Sequence, residues 1–155
     1  MQGEAQVVEQ LNARLAEELT AINQYFVHTE MCENWHYGGL ADAVKARAIV
    51  EMKHAEQLIE RILFLDGRPI VSKLNEISIG DSVPKMHTND LAAEVDAVKA
   101  YNESIRVCVD LKDNGTKELL ESILADEEDH VDWLEAQLAQ IEQVGLENYL
   151  TEQIG

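Results

Sequence analysis

Six residues able to hold metal ions recur in this chain at a fixed interval. Shifting the sequence by 76 positions, without a gap, places Glu18 on Glu94, Glu51 on Glu127 and His54 on His130. In each half a lone Glu precedes a Glu-x-x-His motif by 33 residues. The same shift superposes Leu15, Tyr25, Cys32, Gly39 and Leu58 on Leu91, Tyr101, Cys108, Gly115 and Leu134. Carboxylates and imidazoles suit iron, manganese or zinc, and the lack of thiolates disfavours an iron–sulfur cluster. Glu and His three apart share a helical face, so each pair can grip one metal. Four ionised glutamates carry −4 and neutral imidazoles add nothing, so two divalent ions would balance the set. Two-metal sites hold their ions about 3.5–4 Å apart, close enough to act on one bound molecule. A third match, Glu33-x-x-His36, lies about 22 Å along the helix axis from Glu18. It has no repeat partner and is read as coincidence.

Four long helices must position these residues. Apolar periodicity predicts helices over about 5–35, 40–65, 89–112 and 117–144, each about 35–45 Å long. Gly38-Gly39 is read as the first stop, Asp66-Gly67 as the second and Asp113-Asn-Gly115 as the third, with Thr116 capping the fourth helix. A tail from Leu146 to Ile154, after Gly145, is read as a short fifth helix. The inward stripes run 11, 15, 18, 22, 25; then 44, 48, 51, 54, 58, 62; then 91, 94, 98, 101; then 120, 123, 127, 130, 134. All six metal-binding candidates fall on core positions, and no Arg or Lys shares those stripes. Buried carboxylates without partners are costly, so the convergence calls for a cation. About 20 residues with Pro69, Gly80 and Pro84 separate the second and third helices, the length a four-helix bundle needs for one long crossover. The fold class is therefore all-α: two antiparallel hairpins, one crossover and a short fifth helix.

Composition sets the outer bounds. At 155 residues the chain is expected to be one domain, 1–155. A net charge of −18 argues against nucleic acid and permits attraction of cations, although a solvated acidic surface is the simpler account of the charge alone. Apolar runs such as Ile62–Leu65 are too short to span a membrane, and Met1-Gln-Gly-Glu does not read as an export signal. Cys32 and Cys108 make no disulfide framework and read as buried, unreactive thiols, which fits a reducing cytoplasm.

The segments Leu19-Thr-Ala-Ile-Asn-Gln-Tyr-Phe26, Glu51-Met-Lys-His-Ala-Glu56 and Ala125-Asp-Glu-Glu-Asp-His130 resemble the bacterioferritin family, and the resemblance extends over essentially the whole chain. It implies a ferritin-like bundle with a ferroxidase centre formed by Glu18, Glu51, His54, Glu94, Glu127 and His130. Glu51 and Glu127 would bridge two irons, Glu18 and Glu94 would be terminal ligands, each His would bind one iron, and Tyr25 would stand beside the ligands. The family implies a hollow cage of 24 subunits that oxidises Fe(II) with dioxygen or hydrogen peroxide and stores the ferric mineral. Met52, about 100° around the helix from Glu51, points toward the bundle surface. Read from the residues, it is a helix-flank or dimer-contact methionine. The resemblance makes it the axial ligand of a haem b shared between two subunits, serving electron transfer and iron release, with an electron donor of the ferredoxin type as a further implied partner.

Departures from the family pattern are also visible. The positions that hold an inner-surface iron site in some members are Ala46 and Val50 here, which argues against that site. Whether the di-iron centre is a lasting cofactor or a pore into the cavity is left open. Asn34, Asp66 and Asp132 match a channel at a subunit junction, and Asn148 is expected near a fourfold axis. Two rivals remain: a small-oligomer di-iron oxidase or peroxidase of the rubrerythrin type, though the chain lacks a Cys-x-x-Cys module, and a structural bundle whose repeat is only a packing relic.

Overall fold

The computed structural model describes all 155 residues. Five helices follow one another: α1 Ala5–Asn34, α2 Gly38–Phe64, α3 Val83–Asp110, α4 Asn114–Val144 and α5 Leu146–Thr151. α1 packs along α2 and α3 along α4, and the two hairpins meet through α1 with α3 and α2 with α4. The expected all-α, ferritin-like bundle with its short fifth helix is the observed fold. No helix is long and apolar enough to cross a membrane.

The helix ends differ from the expected ones for local reasons. α3 starts at Val83, six residues before Asn89, because Ser82 caps it by accepting from Lys85 N at 3.3 Å. Pro84 then sits at the second position, where a helix needs no N–H. α4 is capped by Asp113, which accepts from Thr116 N at 3.0 Å; Thr116 lies inside the helix and is not its cap. Gly38 and Gly39 belong to the first turn of α2, and Gly115 to that of α4. The left-handed residues that end α1, α2 and α3 are His36 (φ 64°), Asp66 (φ 57°) and Lys112 (φ 59°). Beyond each, a backbone N–H reaches back across the last turn: Tyr37 N to Cys32 O, Gly67 N to Ile62 O and Asp113 N to Cys108 O. His36 and Lys112 stand 76 residues apart, so the repeat extends into the turns.

A main cluster of Val7, Leu11, Leu15, Leu58, Ile62, Tyr101, Cys108, Leu120 and their neighbours fills one end of the bundle. A second cluster around Cys32, Leu40, Met86 and Tyr149 joins α5 to the opposite end. Polar side chains lie between them, where the site is.

The crossover has no regular secondary structure yet is pinned along α1. Asn12 accepts from Ile70 N at 2.9 Å, Thr20 from Asn75 N at 2.8 Å, Gln24 from Ser78 N at 3.0 Å and His28 from Gly80 N at 3.0 Å. Thr20, Gln24 and His28 recur every four residues and therefore face one way. Asp90 of α3 holds this row in place, accepting from Gln24 at 2.7 Å and lying 3.0 Å from His28 Nδ1. Gly80 is needed where the crossover closes on α3, since a Cβ there would come within 2.4 Å of Met86 N.

Candidate metal centre

Core periodicity carries Glu18, Glu51, His54, Glu94, Glu127 and His130 to one buried place at mid-bundle. Their donor atoms form two groups, Glu18–Glu51–His54–Glu127 and Glu51–Glu94–His130, each gathered within 4.8 Å. Glu51 is common to both. His54 Nδ1 lies 3.4 Å from Glu18, 3.5 Å from Glu51 and 3.3 Å from Glu127. His130 Nδ1 lies 3.0 Å from Glu94.

Unmet polar atoms show the fit of the site to metal. Each of the six residues contributes one: Glu18 Oε2, Glu51 Oε1, His54 Nδ1, Glu94 Oε2, Glu127 Oε1 and His130 Nδ1 are buried without a hydrogen-bond partner. Buried polar groups are nearly always hydrogen-bonded, so six such atoms pointing together, with only Glu51 Oε1 held in an ion pair to Arg47, form a donor set of oxygen and nitrogen that suits iron or its neighbours.

The electrostatics describe a site without enough positive charge. Burial, then the charge on neighbouring glutamates, raises the Glu18 and Glu127 carboxyls well above their ordinary range. Burial would raise Glu51 too, but the adjoining Glu18 and His54 and the charge on Arg47 hold it down at about 2. Burial works against a charged His54, yet Glu18 and Glu51 outweigh it and push its imidazole up to about 10. Protons thus take the part of cations among the four carboxylates.

Several neighbours complete the centre. Tyr25, expected beside the ligands, donates to Glu94. Tyr101 donates to Glu18 at 2.6 Å, and the repeat that pairs it with Tyr25 already contained that signal. His54 Nε2 faces Asp126 at 2.8 Å, which leaves Nδ1 as the free donor. The inward stripes carry no Arg or Lys, as expected, yet Arg47 reaches the centre from beside them. Its guanidinium reaches in from beside the α2 stripe, with Nη2 2.8 Å from Glu51 and 3.2 Å from Glu127. Nothing in the periodicity announced Arg47 or Asp126, whose repeat partners are Ile123 and Val50.

A cavity of about 270 Å³ opens onto the centre from the α1/α3 side, with Glu17, Asn75, Glu76 and Asp96 around its mouth. Met52 lies outside the cluster, 41% exposed, and shares an exposed face of α2 with Ile49 and Leu63. Asn34, Asp66, Asp132 and Asn148 are all at the surface, as are Glu33 and His36. Cys32 and Cys108 are buried, and burial pushes both thiols up to about 11.

Comparison with known proteins identifies the family. Residues 8–144 match the ferritin-like domain. The chain is 42% identical to a bacterioferritin of Mycobacterium leprae over 96% of its own length and 94% of that protein. It is 42% identical to a bacterioferritin of Rhodobacter capsulatus and 41% identical to one of Brucella melitensis, covering 96% of this chain and 92% of each relative. The chain belongs to the bacterioferritin family. Within that family the buried carboxylate–histidine cluster is this chain's candidate iron centre.

Proposed function

We propose that this protein stores iron: it oxidises Fe(II) to Fe(III) at the mid-bundle centre and holds the ferric product inside a homo-oligomeric cage of 24 copies. The observation that carries the reading is the set of six buried donor atoms without a hydrogen bond, contributed by six repeat-related residues. The bacterioferritin relatives and the ferritin-like domain support storage as the outcome. Two Fe(II) ions, as substrate, supply the two electrons that reduce hydrogen peroxide to water or dioxygen to hydrogen peroxide.

The residues divide the work. Glu51, common to both donor groups, and Glu127 would serve both metal positions, while Glu18 with His54 and Glu94 with His130 would hold one each. Tyr25 and Tyr101 orient the two terminal carboxylates by donating to them. Asp126 fixes the His54 ring so that Nδ1 faces the metal. Met52 offers a thioether on an exposed apolar face and would hold a haem b against the same residue of a second subunit. That haem would supply electron transfer for releasing stored iron, fed by a donor of the ferredoxin type.

Replacing Glu18 or His130 with Ala is expected to abolish rapid Fe(II) oxidation in stopped-flow absorbance while the assembly stays intact. Wild-type oxidation rates in both variants would remove the centre from the mechanism.

A further inference from the structure

The centre has two sides. Toward α1 and α3 it opens through the acidic mouth of the cavity. Toward α2 and α4 the gap is filled by Arg47, whose side chain is only 12% exposed. Nη2 lies against Glu51 and Glu127 at 2.8 and 3.2 Å, and Nη1 donates to the Asp126 carbonyl at 3.0 Å. Nε has no partner. The guanidinium therefore sits on Glu51, which is common to both donor groups, and on Glu127, as a cation that the chain itself supplies. Arg cannot lose its charge by deprotonation, so it can leave this place only by moving.

The charge count shows when it must move. Arg47 brings the four carboxylates from −4 to −3, and two divalent ions would carry the set to +1 with the guanidinium still in contact. A guanidinium a few ångströms from two dications is repelled, and burial strengthens that repulsion. The same guanidinium in the metal-free protein offsets buried negative charge that would otherwise destabilise the fold. We propose that Arg47 is a built-in counter-ion that stabilises the empty centre and is displaced from Glu51 and Glu127 as metal ions load, lowering the affinity of the centre for metal. This rests on the reading of the site as a two-metal centre.

The test uses Zn(II), which fills such a centre without redox chemistry. Calorimetric titration of the metal-free wild-type assembly is expected to find two Zn(II) per chain. Arg47→Gln should bind the same number at least about tenfold more tightly. Metal-free Arg47→Gln should melt below metal-free wild type, whereas the Zn-loaded forms should melt alike. Arg47→Lys, which keeps the charge and loses the two-pronged geometry, should fall between, and its titration decides the matter if Arg47→Gln does not assemble. Affinity that is unchanged or weaker in these variants overturns the inference, as does an equal loss of stability in metal-free and loaded forms. If wild type takes up no Zn(II), the two-metal reading fails and the inference with it; two Zn(II) with unaltered affinity in the variants sinks the inference alone.

Discussion

At the scale of residues, the centre consists of groups that want a metal and neighbours that hold them ready. Asp126 is such a neighbour, since it turns the His54 ring by accepting at Nε2. Partners of this kind are worth about 10–100-fold in metal affinity. Asp126→Ala should therefore weaken Zn(II) binding by about that factor, measured by calorimetric titration; unchanged affinity would show the contact to be incidental. The pH dependence of loading has a definite sign. Glu18 and Glu51 hold the proton on His54 up to about pH 10 in the metal-free protein, and that proton must leave before Nδ1 can bind a metal. Proton and metal compete, so affinity should rise with pH throughout the range below about 10, with protons released on binding. Calorimetry in buffers of different ionisation enthalpy reads this release directly, and a buffer-independent enthalpy would contradict it. The ligands were legible because burying Glu and His at core periodicity makes sense only with a cation. Arg47 was not, because a long side chain can start beside the stripe and still reach its centre.

At the scale of elements, the helices were legible and their ends less so. Periodicity is set by burial over many residues, whereas an end depends on one or two local hydrogen bonds. Pro84 read as loop although it opens α3, and Gly38-Gly39 and Asp113-Asn-Gly115 read as stops although His36 and Lys112 take the left-handed conformation there, whereas Asp66-Gly67 was read where α2 does end. The crossover was legible only as a length. Its row of anchors on α1 could not be read, because each links an ordinary polar side chain to backbone more than fifty residues away. Gln24 is the middle anchor, bonding Ser78 N and Asp90 together. Gln24→Ala leaves Ser78 N unmet and takes one of its two partners from Asp90, which keeps His28, and should cost about 1–3 kcal/mol. Hydrogen exchange should accelerate at the amides of Asn75, Ser78 and Gly80, and protection equal to wild type would show that the anchors do not hold the segment.

At the scale of the molecule, one chain leaves Ile49, Met52 and Leu63 exposed on α2, a face suited to a second copy. The storage reading expects a particle of several hundred kilodaltons on size exclusion, and a dimer-sized particle would favour the rubrerythrin-like alternative. Met52→Leu should assemble normally and lack haem absorbance; full haem occupancy in that variant would refute the ligand role. The likeness of the two halves was plain in the letters, while the way they exchange contacts needed three dimensions. Tyr25 in the first half donates to Glu94 in the second, and Tyr101 in the second donates to Glu18 in the first. Residue i meets j and j meets i, which is the geometry of a twofold dimer interface drawn inside one polypeptide. Neither hairpin owns a complete centre. Tethering two such copies frees each to diverge, and Arg47 and Met52, set against Ile123 and Glu128, are where they have. An untethered pair would bring two guanidiniums to the same four carboxylates. The joined chain brings one, and leaves the larger share of the negative charge for metal.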